Sequence, residues 1–260
     1  MRRYVLPIVA MGLSFFLLAH PVGAVGLEIA IGGWMQDPSG TLGCKPSSEN
    51  DLLDVQENLM YEDEVHVSFR AAVDMPYLIP SIYLMASPVD YYAPGSTEDG
   101  FNFGDSTFEP GAFHSELDSN IVDIGLYYGF PFLRTTTFHR LNLDVGLNLR
   151  LFDYDLKISQ SESNQTEKQS GTIPIPMVFL AIQFRPLEQL SIEAEGRGTS
   201  YSGNEVYSLI GRLEYKFFGP LFIAGGYRYE SSKLDEDDLQ TDTIISGPFV
   251  ELGLSLFEFE

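Results

Sequence analysis

The chain has 260 residues and a formal charge of −22, from 15 Lys and Arg against 37 Asp and Glu, so it lacks the basic surface that a nucleic-acid partner demands. A single cysteine, Cys44, excludes an internal disulfide framework and a cysteine-based zinc site, and it reads as a loop residue. The length fits one all-β domain better than two domains.

Residues 1–24 read as a cleaved secretory signal. Arg2 and Arg3 precede an apolar stretch from Tyr4 to Ala19, and Val22, Gly23 and Ala24 supply the small residues of a cleavage site. The mature domain is then 25–260, beginning at Val25, where a lipoprotein would need a cysteine. No later apolar run is long enough for a transmembrane helix, so a membrane protein would have to be built from strands closed into a barrel.

Ten strands are expected, at about 25–36, 63–74, 77–87, 120–130, 140–153, 173–185, 189–200, 205–217, 220–231 and 243–257. The clearest is Leu141 to Leu151, where every odd residue is apolar and every even one polar or glycine. Most of these strands have the length that a tilted strand needs to cross the hydrocarbon, roughly 9–11 residues, and exceed the roughly 5–6 usual in a soluble sandwich. The connections alternate in size. Those at 37–62, 88–119, 154–171 and 232–242 read as long polar loops, and those beginning at Met75, Pro131, Pro186 and Phe218 as shorter turns. The connection at Ser202, Gly203 and Asn204 is short where a long loop was due. An even strand count places both termini on the short-turn, periplasmic side.

Charge tests the faces. Val122, Ile124, Leu126, Tyr128 and Phe130 share one phase of their strand, as do the odd residues of 141–151 and Val250, Leu252, Leu254 and Leu256, and none is charged. Asp123, Asp144, Arg150 and Glu251 occupy the opposite phase. On three consecutive strands, Glu193, Glu195, Arg197, Arg212, Glu214, Lys216, Arg228 and Glu230 are expected to share a lumen, either as a narrow polar pathway or as a salt-bridged filling. A soluble barrel would put the apolar phase inside, so a periplasmic lipid-binding barrel stands as the inverted alternative.

On this pattern the chain resembles the small outer-membrane β-barrel proteins of Gram-negative bacteria. The resemblance implies an antiparallel up-and-down transmembrane β-barrel of about ten strands in the outer membrane. Its implied partners are membrane lipid, lipopolysaccharide and, during biogenesis, the barrel-assembly machinery. Such proteins usually end on an aromatic residue. Here Phe257 and Phe259 fall out of phase with Leu252, Leu254 and Leu256, and Glu260 follows.

Candidate chemistry is sparse. His66 and Ser68 share a strand face, and outer-membrane phospholipases and lipid A deacylases carry a His-x-Ser of this kind, but Pro80 stands where those families place an orienting Asn or Glu. Gly104, Asp105 and Ser106 are faintly similar to a hydrolase nucleophile, and no histidine follows His139 to complete a triad. The ten-stranded omptin proteases need an Asp-x-His, which this chain lacks. Acidic runs at Leu234 to Leu239 and at Asp51, Asp54, Glu57, Glu62, Asp63 and Glu64 suit divalent cations, without an EF-hand spacing. Asn164 begins a glycosylation sequon that a bacterial setting leaves unused. The reading is a non-enzymatic barrel without cofactor or resident metal, with a structural or surface-interaction role and limited small-solute passage second. A lipid hydrolase using His66 and Ser68 is the enzymatic alternative.

Overall fold

The alternation over 141–151 becomes part of β5 (Leu141–Gln160), and nine further strands join it in a closed antiparallel barrel. They are β1 (Gly26–Cys44), β2 (Glu64–Asp74), β3 (Ser81–Thr97), β4 (Gly111–Gly129), β6 (Gln165–Leu187), β7 (Leu190–Tyr201), β8 (Asn204–Phe218), β9 (Leu221–Glu236) and β10 (Leu239–Leu256). The computed structural model describes residues 25–76, 79–138, 140–236 and 238–256. The expected signal peptide and the aromatic C-terminus at Phe257 and Phe259 lie outside them. Each strand pairs with its neighbours in sequence, and β1 closes on β10 from Leu27 opposite Leu256 to Cys44 opposite Leu239. Among the described residues no helix is long and apolar enough to cross a membrane. The one α-helix described, α1 (Pro131–Thr136), is a single short element in the turn between β4 and β5.

All ten expected strands are present, and most run further than expected at one end. Residues 37–44, 88–97, 111–119, 154–160, 165–171 and 232–236, read from sequence as loop, continue β1, β3, β4, β5, β6 and β9. Cys44 is therefore the buried last residue of β1 and not a loop residue. Ser202 and Gly203 make the short turn expected there, with φ of 54° and 91°, the left-handed pair of a two-residue hairpin. The barrel thus extends past its membrane zone as a wall of strands, low at β7 and β8 and high at β5 and β6.

Polarity divides this barrel into two storeys. In the lower one Ile31, Val67, Ile124, Leu126, Leu147, Leu149, Leu180, Leu209, Leu252 and Leu254 face outward and are exposed, Leu147 at 69%. This unbroken apolar belt is far larger than a soluble monomer displays, and it marks a lipid-facing surface. The inverted alternative, a barrel with its apolar phase inside, is thereby corrected for this storey. Above Leu151 the same inward positions turn apolar. On β5 Asn148 and Arg150 give way to Phe152, Tyr154, Leu156 and Ile158, while Asp153, Asp155 and Lys157 face out. The upper storey is built like a water-soluble barrel, with an apolar interior.

Part of that interior is filled from above. A hairpin of Phe101–Phe103 and Ser106–Phe108 buries Phe101, Phe103 and Phe108, with Phe101 stacked on Phe108 at 5.1 Å. It is clasped by Asp51, which accepts hydrogen bonds from the amides of Ser47, Ser48 and Asn102 at 2.8, 2.8 and 2.7 Å. Burial alone would raise the Asp51 carboxyl, but these donors together hold it well below the ordinary carboxylate range.

Two outcomes follow. Leu147→Arg, which aims a charge at the middle of the belt, is expected to cost about 2–4 kcal/mol in urea titrations of the vesicle-folded protein. Because the folded Asp51 titrates below its ordinary value near 3.8, the clasp is at full strength above that pH and weakens as pH falls through the folded value. Proteolysis within 101–108 is expected to accelerate below about pH 4, and Asp51→Asn to show that acceleration already at neutral pH.

A salt-bridged plug and an apolar chamber

The lower storey turns every second side chain of each strand inward, and the bore of ten strands is narrow enough for those side chains to meet. Five arginines fill it, four of them held by carboxylates from other strands and Arg228 by Glu230 of its own strand. Arg150 on β5 grips Asp123 on β4 through Nε and Nη2, at 3.0 and 2.9 Å, and reaches Glu230 on β9 at 2.6 Å. Arg228 bonds the other oxygen of Glu230 at 2.7 Å and lies 4.3 Å over the Trp34 ring. Arg70 on β2 pairs with Glu195 on β7, whose second oxygen accepts from Arg197 at 2.6 Å and from the Tyr83 hydroxyl at 3.2 Å. Arg212 on β8 meets Glu28, Glu193, Glu214 and Glu251 at 2.9, 3.3, 3.1 and 3.1 Å. Arg197 stands 3.9 Å from Asp123 and joins the first two groups.

Arg70 with Glu195 and Arg150 with Glu230 join strands that share no ladder, so these pairs cross the bore. Charges this deep are tolerated because every one has an opposite charge, and removing one partner of a buried pair costs about 3–5 kcal/mol. Close packing of the wall assists. A Cβ on Gly226 would strike the Gly211 carbonyl, so the backbones of β8 and β9 approach there only as glycine.

Seven of the eight expected lumen residues, Glu193, Glu195, Arg197, Arg212, Glu214, Arg228 and Glu230, take part in this layer. Lys216 is half-buried further toward the end of β8, one inward position beyond Glu214. Asp123, Arg150 and Glu251, read from sequence on the inward phase, join the layer with Arg70 and Glu28, which the expected cluster did not include.

Above the plug lies the apolar chamber, walled by Leu42, Val89, Tyr91, Leu117, Tyr154 and Leu156, with Glu230 and Ser119 at its floor. It keeps a cavity of about 70 Å³ that the hairpin does not fill. Below the plug a polar recess of about 80 Å³ is lined by Asp74, Asn142, Asp144 and Arg185 among others.

The barrel wall has one weak seam. Strands β2 and β3 pair only from Phe69 opposite Ala86 to Val73 opposite Ile82. Two positions beyond Ala86, Pro88 has no amide to donate. Side chains bridge the gap instead. Gln36 Nε2 donates to the Pro88 carbonyl at 3.3 Å, and His66 Nε2 lies 2.9 Å from the Asp90 carbonyl. Higher up, Tyr61 stacks on Tyr91 at 5.0 Å.

The other candidate residues are placed by the same geometry. His66 and Ser68 are both buried and point into the barrel, away from lipid, and among the described residues no hydrogen bond joins them. Gly104 to Ser106 form the tip of the capping hairpin, where Gly104 donates to the Cys44 carbonyl at 2.9 Å and Ser106 to Glu167 at 2.7 Å. Burial pushes the Cys44 thiol up to about 12, which leaves it inert. Asp51 and Asp54 spend their oxygens on local amides, and among the described residues no group of three or more His, Cys, Asp or Glu side chains is arranged to hold a metal. On the outer wall Asp90, Asp118 and Asp155 stand opposite one another across three strands. Burial and the facing Asp90 carboxylate push the Asp118 carboxyl above its ordinary range.

The closed ten-strand ring, lipid-facing belt and polar lumen define a transmembrane β-barrel of the outer-membrane type. No protein-family model matches the chain, and no curated protein matches it. Among solved structures it is similar to Ail, the attachment invasion locus protein of Yersinia pestis, in complex with the heparin analogue sucrose octasulfate. That match has 14% identity and a TM-score of 0.40 over 88% of this chain and 99% of that one. It is similar also to the translocator domain of the autotransporter NalP from Neisseria meningitidis, with 12% identity and a TM-score of 0.43 over 96% and 94%. The P. putida toluene transporter TodX aligns at 8% identity and a TM-score of 0.27 over 92% of both chains. The transmembrane assignment rests on the belt and the closed ladder of this chain, not on these likenesses.

Replacing His66 with alanine removes the bridge to Asp90 and leaves that carbonyl without it at the seam. The expected loss is about 1–2 kcal/mol, read as a lower urea midpoint of the folded barrel, with no change in the belt's protection by lipid.

Proposed function

We propose that the protein is a closed, non-enzymatic barrel of the Gram-negative outer membrane, whose role is to anchor and present its upper storey at the cell surface. The salt-bridged plug carries this reading: Arg70, Arg150, Arg197, Arg212 and Arg228 with their carboxylates fill the bore, which favours a closed barrel. The upper storey adds a stiff surface. Its outward positions are rich in acid, with Glu116, Asp118, Asp153 and Asp155 on adjacent strands, which favours a cationic partner. Membrane lipid and lipopolysaccharide would surround the belt, and the assembly machinery would insert it.

Two observations speak against a lipid hydrolase. His66 and Ser68 face the interior, and Nε2 of His66 is engaged by the Asp90 backbone. Limited solute passage draws on the cavities above and below the plug and remains the second reading.

Planar-bilayer recording separates the two. The closed reading expects no steady conductance from the native protein. Arg212→Glu sets a new negative charge among Glu28, Glu193, Glu214 and Glu251, and is expected to open a cation-preferring leak. Steady native conductance that Arg212→Glu alters would establish the channel reading instead.

A further inference from the structure

The chamber of the upper storey is not required by the plug or by the belt. A ten-strand ring encloses more space than eight strands, whose interior side chains can fill or which can hold one small ligand. Here the hairpin and the loop before β2 take up much of the extra space, and about 70 Å³ stays open between Leu42, Val89, Tyr91, Leu117 and Leu156. That is roughly half the ~150 Å³ that admits benzene.

One wall atom sets the chemistry further. The hydroxyl of Ser119 is buried, faces this cavity and has no hydrogen-bond partner among the described residues. Such a group costs stability unless something bonds it. Glu230, also at the floor, is already spent on Arg150, Arg228 and the Ser208 hydroxyl. It would repel an anion, and it offers a cation no free partner.

We propose that this chamber is a binding site for a small neutral amphiphile, an alkyl segment of about one or two carbons buried among the apolar walls with a hydroxyl on Ser119. The ligand is a free solute rather than a membrane acyl chain. The chamber lies above the belt, at the level where Asp153 and Asp155 face water, whereas acyl-chain ends lie at the bilayer centre. The seam closed by His66, Tyr61 and Tyr91 borders the chamber and is the natural way in, because no backbone ladder has to break there. This inference does not depend on whether the plug conducts ions.

The test is fluorine NMR of 2-fluoroethanol and fluoroethane with the protein in nanodiscs, against empty nanodiscs at the same lipid concentration. The native protein should bind the alcohol saturably above the empty-disc baseline. Leu156→Trp, which fills the cavity, should return the signal to that baseline, and Val89→Phe serves the same purpose if the first variant lacks the heat-modifiable gel shift of a folded barrel. Ser119→Ala should weaken the alcohol by about 3–10-fold and leave fluoroethane unchanged. Equal signals in loaded and empty nanodiscs, or saturable binding that both filling variants retain, would overturn the proposal.

Discussion

In hydrocarbon no water is available to a backbone amide, so each strand of the belt must be paired on both sides and the sheet must close. Everything else in the molecule follows from that closure. A closed ring has only an inside and an outside, and the pleat assigns every residue to one or the other. The membrane then dictates the outside of the lower storey, which leaves its inside as the only place for the charges those strands carry.

Burying so many charges is costly unless they are paired, and the pairing here is distributed around the ring. Asp123, Glu193, Glu195 and Glu230 receive arginines from strands that are distant in sequence but neighbours across the bore. Aromatic rings support the guanidinium planes, with Arg197 4.4 Å over Tyr83 and Arg212 5.1 Å over Phe222. Such a layer ties strands together that share no backbone hydrogen bond. It fixes the ring's cross-section, and with it the shape of the chamber above.

The lower storey was legible in the sequence because its alternation is simple: Leu141 to Leu151 has a single phase, and a membrane leaves that phase one meaning. The upper storey was not, for a physical reason. The strand continues without a bulge, but at Phe152 the apolar residues move from odd to even positions, since water now lies outside. Two apolar neighbours, Leu151 and Phe152, then look like the end of a pattern, and Asp153, Asp155 and Lys157 look like a loop. The capping hairpin was hidden for a different reason: three residues on either side of Gly104 and Asp105 are too short to show any period. The lumen charges could be assigned to a face, but which arginine met which carboxylate depended on the curvature of the ring, and one-dimensional spacing does not hold that information.

The short ladder between β2 and β3 has a mechanical meaning. In a ring whose first and last strands are joined along their length, from Leu27 and Leu256 up to Cys44 and Leu239, the chain ends are not where the cylinder is weakest. The weak line lies two strands further in, where backbone pairing stops at Phe69 and Ala86 and side chains take over. Under tension the cylinder would split along that line before it parted at its termini. It would open as a hinged sheet, with β1 and β2 on one leaf still attached to β10, and β3 at the free edge of the other.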